Sequence, residues 1–149
     1  MTGTSISPTE IGDAQKRIAS VRAKGLATPL RFEVAPMESV AETLGARDTF
    51  DVVFVYEALH HAFDWRAAIR SSYEALKPGG WLLLCQEPNV LHTLRSYRVA
   101  RLSNTHEIGF SKQELIDGLH AAGLKNIVSA GAKMHFWSKP LWVFAQKEG

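Results

Sequence analysis

Two short apolar runs joined through a single helical stripe constrain this chain more than anything else in it. Phe50-Asp51-Val52-Val53-Phe54-Val55-Tyr56 is nearly unbroken and rich in β-branched and aromatic residues, and Trp81-Leu82-Leu83-Leu84-Cys85 repeats the pattern. Runs of this kind suit parallel strands covered by helices on both faces, so the first is expected to be a central strand and not an edge. Between them Trp65, Ile69, Tyr73 and Leu76 recur at helical spacing, with Asp64 placed to cap the helix start. Lys77-Pro78-Gly79-Gly80 should stop that helix, because proline cannot continue it and glycine accepts the conformations that reverse the chain. Strand, helix and strand of these lengths form a βαβ unit with a right-handed crossover. Ligands of such sheets bind beyond the carboxyl ends of the strands. Those ends carry Tyr56-Glu57-Ala58-Leu59-His60-His61 and Gln86-Glu87-Pro88-Asn89, the densest polar groups in the chain.

The flanking segments read as lead-in and closure. Gly3-Thr4-Ser5-Ile6-Ser7 resembles the tail of a strand, after which Ser7 can cap a helix over residues 8–24, with Pro8 in its first turn and Gly25 as its stop. Ile11, Ala14, Ile18 and Val21 are its inward positions. Residues 31–35 alternate polar and apolar, as a more exposed strand does. A loop over 36–45 holds one helical turn at 39–44. Beyond the central unit, residues 90–101 read as a helix and 102–109 as a polar connection. Ser111-Lys112-Gln113-Glu114 is a capping box opening a helix that buries Leu115, Ile116, Leu119 and Ala122 and stops at Gly123. Residues 125–132 and 140–146 are two last strands, adjacent in sequence and expected to pair antiparallel.

With 149 residues, the chain is read as one domain able to bury roughly 70% of the surface its unfolded form exposes. The formal net charge of +2 comes from scattered Lys and Arg, which gives nucleic-acid binding little support. Arg95, Arg98 and Arg101 share one helical face that reads as solvated surface. Cys85 is the only cysteine, so no intrachain disulfide or cysteine metal cluster can form, and a core thiol is the expected role. No leader or membrane-spanning run is apparent, so the expectations are a cytoplasmic chain and no membrane partner. His60, His61, His92 and His106 could in principle ligate a metal. The adjacent pair cannot share a helical face, however, and no carboxylate motif completes the set, so no metal is expected.

Phe50-Asp51-Val52-Val53, Leu59-His60-His61, Leu76-Lys77-Pro78-Gly79-Gly80 and the closing pair of strands together resemble the class I S-adenosylmethionine-dependent methyltransferases, especially their small-molecule branch. The helix ending Ala122-Gly123-Leu124 matches that family's C-terminal half. The resemblance implies an α/β Rossmann-like, doubly wound sheet, mostly parallel, with an antiparallel C-terminal hairpin. It also implies S-adenosyl-L-methionine as cofactor and a small-molecule methyl acceptor. No G-x-G stretch precedes Phe50, so against the family pattern the chain is expected to lack the first βα unit and its glycine-rich loop. The strand beside residues 52–56 would then be missing, leaving an open edge where self-association or a partner chain could act.

By resemblance, cofactor contacts fall at Ser5, Ile6, Met37, Glu38, Tyr56 and Glu57. Ser5 and Pro36 stand where the family usually carries acidic side chains, with Glu38 a stand-in for the second. His60 is the expected base, since an imidazole of ordinary pKa near 6.5 suits proton removal at neutral pH. Substrate contacts are expected at His61, Glu87, Asn89, His92 and His106, with Glu107 beside the last. The alternative is a non-catalytic, methyltransferase-like remnant or partner subunit.

Overall fold

The computed structural model describes residues 1–25, 29–131 and 140–149. β1 (Thr2–Ser5) leads into α1 (Pro8–Ala23), where Pro8 fills the first position and the Ser7 hydroxyl accepts the Glu10 amide at 3.3 Å. β2 (Arg31–Val34) lies parallel to β1, in the register Thr2 to Arg31 and Ser5 to Val34. A 3-10 turn (Met37–Ser39) and α2 (Val40–Thr43) lead to β3 (Phe50–Tyr56). A second 3-10 turn (Leu59–His61), α3 (Trp65–Ala75) and β4 (Leu76–Glu87) complete the expected βαβ unit. α4 (Leu91–Ser103), α5 (Lys112–Ala121), β5 (Leu124–Gly131) and β6 (Leu141–Lys147) follow.

The caps behave as their chemistry requires. Asp64 accepts the Ala67 amide at 2.9 Å, and Ser111 accepts the Glu114 amide at 3.1 Å, each satisfying a donor that a helix start leaves unpaired. Trp65, Ile69 and Leu76 are buried, while Tyr73 is half-buried against the same core. Around them Leu82 and Leu84 of β4, Leu115 and Leu119 of α5, and Val143 and Ala145 of β6 close one apolar cluster. Of the four inward positions expected on α1, only Ile11 is buried. That helix rests on a sheet of two strands, too narrow to cover a full stripe.

The fold class is the α/β Rossmann-like one expected, but its sheet comes in two pieces. β1 and β2 form a parallel pair, and a second sheet runs β3-β4-β6-β5. β3 and β4 are parallel, with Val52 opposite Trp81 and Tyr56 opposite Cys85. β6 inserts antiparallel between β4 and β5, which realises the closing hairpin as far as it is described. Ala132, the expected end of β5, and the connection over 133–139 lie outside the described residues.

Two expectations are corrected. β3 is an edge strand, not a central one: among the described residues it pairs only with β4. Val53 and Val55 pack on the core while Val52, Phe54 and Tyr56 stay 50–60% exposed on the opposite face. A continuous apolar run therefore did not mean burial on both faces, because nothing described covers the second. The second correction concerns Lys77-Pro78-Gly79-Gly80, which belongs to β4 instead of preceding it. The register jumps there from Phe50 opposite Leu76 to Val52 opposite Trp81. Gly79 takes φ 81°, and a side chain on Gly80 would press on the Asp51 carbonyl at 3.1 Å, so glycine is what lets this bulge hug its neighbour.

Candidate active site

The polar residues gather where the topology predicts, at the carboxyl ends of β3 and β4. Two non-glycine residues take the left-handed region here, Glu57 just after β3 at φ 48° and Gln86 near the end of β4 at φ 62°. Such conformations cost on the order of 1–3 kcal/mol and concentrate at functional sites. The Glu57 amide is anchored to the Cys85 carbonyl at 2.9 Å, which ties the two turns together.

His60 lies in the 3-10 turn after β3, with 4% of its surface exposed. Its Nδ1 is 3.0 Å from Glu87 Oε2, at the end of β4. The same carboxylate accepts the backbone amides of Ala58 at 3.1 Å, Leu59 at 3.0 Å and His60 at 3.2 Å. On the other side of the ring, His60 Nε2 is 3.9 Å from Glu107 Oε2. Glu107 accepts His92 Nε2 at 3.0 Å and stands 3.4 Å from His61 Nδ1. Burial pushes the Glu107 carboxyl up, but the His92 hydrogen bond and the charges of His61, His60 and His92 outweigh it, leaving it below the ordinary value. A loop over 104–110 brings Glu107 here, held by the Phe110 amide on the Pro88 carbonyl at 2.9 Å and the Gly109 amide on Thr93 Oγ1 at 2.8 Å.

A cavity of about 130 Å³ opens beside this cluster, lined by Glu57, His60, Gln86, Asn89, His92 and Arg95 among others. Arg95 thus joins the site, although the spacing of the three arginines suggested only a solvated face. Of the expected substrate contacts, His92 and Asn89 line the cavity. Asn89 also uses its side chain to receive the Leu91 amide at 3.0 Å, opening α4. His61 is half exposed and its Nδ1 faces the His106 carbonyl at 3.1 Å. His106 stacks on Phe63 at 5.2 Å, and its Nδ1 has no hydrogen-bond partner among the described residues. Glu87 has no exposed surface, and its oxygens receive three amides of the turn and face His60 Nδ1. Glu107 is the hub that sequence reading left at the margin, since a single acid in a polar loop carries no periodic or spacing signal.

The 3-10 turn also overrides the argument from helical faces. His60, His61 and Glu107 present donor atoms within 4.8 Å of one another, the one grouping among the described residues spaced to hold a metal. His60 Nδ1, His61 Nδ1 and Glu107 Oε2 each already face a protein partner.

The six expected cofactor positions occupy the carboxyl ends of β1, β2 and β3. Ser5 Oγ donates to Glu10 at 2.6 Å and receives the Ser7 amide at 3.1 Å. Ile6 is 71% exposed and Met37 packs on the core. Glu38 receives the Phe63 amide at 3.0 Å, joining the turn after β2 to the loop after His61. Tyr56 and Glu57 are exposed. Hydroxyl and carboxylate groups thus stand at the carboxyl ends of β1, β2 and β3. They form no single continuous edge, because β1 and β3 belong to separate sheets and no described strand joins them.

A parallel βαβ core with polar strand ends, extended by an antiparallel hairpin, defines a Rossmann-like α/β protein with its site at the carboxyl edge. Residues 1–129 match the methyltransferase domain family, and the chain belongs to it, as a class I S-adenosylmethionine-dependent type. A ubiquinone biosynthesis O-methyltransferase of Methylobacterium nodulans is 27% identical over 143 residues, covering 88% of this chain and 53% of the relative. The chain thus spans about half the length of the curated relatives it matches. Among solved structures, the trans-methyltransferase CalH in complex with SAH superposes with TM-score 0.75 at 15% identity, over 98% of this chain and 42% of that one. A methyltransferase of Haloferax volcanii, solved with its activator Trm112, gives TM-score 0.73 at 16% identity over 99% and 72%.

Proposed function

We propose that this chain forms the acceptor side of an enzyme that transfers a methyl group from S-adenosylmethionine to a hydroxyl of a small molecule. The observation that carries this reading is His60: a buried imidazole between Glu87 and Glu107 at the wall of a polar cavity, in a chain of the methyltransferase family. An oxygen acceptor is supported by the O-methyltransferase relatives. S-adenosylmethionine supplies, when bound, a methyl group activated on a sulfonium. The chain's own part is to hold the acceptor in the cavity, align it, and take its hydroxyl proton at His60 Nε2. Alignment alone can lower a displacement barrier by roughly 7–11 kcal/mol, and a positioned base adds on the order of a hundredfold or more. Ser5, Ile6, Met37, Glu38, Tyr56 and Glu57 would form the cofactor's rim, with His61, Asn89, His92 and His106 around the acceptor.

In this reading the activity needs a further strand and loop to complete the site between β1 and β3. The edge of β3 that no described strand pairs supports that requirement. It equally favours a second reading, in which the chain is a non-catalytic subunit that pairs with a partner through this edge. The test is methyl transfer by the longest natural form of the protein, supplied with S-adenosylmethionine and a panel of hydroxylated small molecules, read by mass spectrometry of the products. Methylated product is expected. A form that binds the cofactor tightly yet methylates none of the panel would favour the partner-subunit reading.

A further inference from the structure

We propose that Glu87 is a positioning residue: its carboxylate locks His60 in the Nδ1–H tautomer and turns Nε2 toward Glu107. The part concerning the methyl acceptor rests on the function proposed above, whereas the tautomer stands on the geometry alone.

A carboxylate accepts and does not donate, and it offers about four lone-pair positions. Those of Glu87 are taken by three successive backbone amides, Ala58, Leu59 and His60, and by the imidazole Nδ1 at 3.0 Å. A buried carboxylate is tolerated only when so satisfied. The three amides would suffice to hold the turn. The fourth contact is what a positioning role adds, because an acceptor-only partner at Nδ1 obliges that nitrogen to carry the proton. The neutral ring then has its lone pair on Nε2, the nitrogen on the Glu107 side of the ring, 3.9 Å from Oε2. When Nε2 takes a proton from the acceptor, Nδ1 keeps its own, and the cation lies between two carboxylates. The other titratable groups facing this ring are His61, stacked at 3.9 Å between centroids, and His92, edge-on at 5.5 Å.

Glu87→Gln makes the distinction. Oε1 receives the Ala58 and Leu59 amides and Oε2 receives the His60 amide and Nδ1, so a glutamine whose oxygen keeps the first pair turns its NH2 onto His60. The imidazole relieves that clash by moving its proton to Nε2, so that Nδ1 accepts from the amide. Solid-state nitrogen-15 NMR of the histidine side chains reads the tautomer directly and tolerates an associated sample. Wild-type chain is expected to show a protonated Nδ1 and a bare Nε2 at His60, Glu87→Asp the same, and Glu87→Gln a protonated Nε2. A wild-type His60 with its proton on Nε2 overturns the proposal even if the Gln variant fails to fold, as does a Gln variant that keeps Nδ1–H. In the longest active form, Glu87→Gln should lower kcat about a hundredfold with KM within a few-fold. The double variant with His60→Ala should be no worse than the worse single variant. Independent, multiplying losses would reduce Glu87 to a brace for the turn. Absence of turnover in wild-type protein with the expected tautomer sinks the proposed function and leaves the tautomer assignment standing.

Discussion

At the scale of single residues, the site is a set of ionisable groups whose roles follow from what each one faces. His60→Ala in the longest active form should reduce turnover by on the order of a hundredfold while cofactor affinity, followed by calorimetry, hardly changes. Unchanged turnover would assign His60 to the cavity wall. Cys85 shows the opposite case: burial pushes its thiol up, and the negative charge of Glu87 pushes the same way. Little thiolate forms at neutral pH, so a thiol reagent should modify Cys85 in native protein far more slowly than in denatured protein. Equal rates would contradict the buried placement. Asp51 is pulled below its ordinary value by the Lys77 hydrogen bond at 2.8 Å and by that ammonium's charge. A depressed carboxylate contributes stability above its unfolded pKa and loses it as pH falls through the folded one. NMR titration should find Asp51 ionising below pH 3.8 and returning toward that value in Lys77→Ala.

Among the elements, the contact between α3 and α5 shows how one small residue fixes an interface. Gly118 sits in α5 where a Cβ would collide with the Trp65 ring, and Trp65 in turn meets Phe110 edge-on at 5.4 Å. A methyl group there must push aside a fully packed indole instead of a flexible side-chain tip. Although alanine favours helix, Gly118→Ala should destabilise the chain by about 1–3 kcal/mol through overpacking. Urea unfolding checks this, and a midpoint equal to or above wild type would show that the ring moves freely. The same packing bears on the site, since Phe110 pins the loop that carries Glu107.

For the whole molecule, the edge of β3 that no described strand covers should govern behaviour in solution. Because Val52, Phe54 and Tyr56 are half exposed, water reaches that side of the strand, and the cost lies in uncovered apolar surface more than in orphaned hydrogen bonds. Covering each of the three would return about 1 kcal/mol, and pairing the edge would add ladder bonds. Residues 1–149 alone should therefore self-associate with rising concentration, seen by size-exclusion chromatography with light scattering. A monomer at all concentrations, with strongly protected amides over 52–55, would contradict the exposed edge. The same gap predicts that this chain binds S-adenosylmethionine more weakly than micromolar. Titration calorimetry showing micromolar affinity would mean that the rim alone suffices.

What the sequence by itself determined was local. Ser7, Asp64 and Ser111 capped the helices foreseen because capping is satisfied within three residues. The runs at Phe50–Tyr56 and 81–85 became parallel neighbours because a helix joins them, the crossover that a parallel pair requires. The resemblance to methyltransferases rested on the same local motifs. Only the tertiary structure decided which face of β3 was covered, because burial depends on what is packed alongside and not on the strand's own composition. It alone set the buried Glu87 carboxylate against His60, and it brought Glu107 from a distant loop into the same cluster. Both are long-range pairings of single side chains, which no periodicity in the sequence encodes.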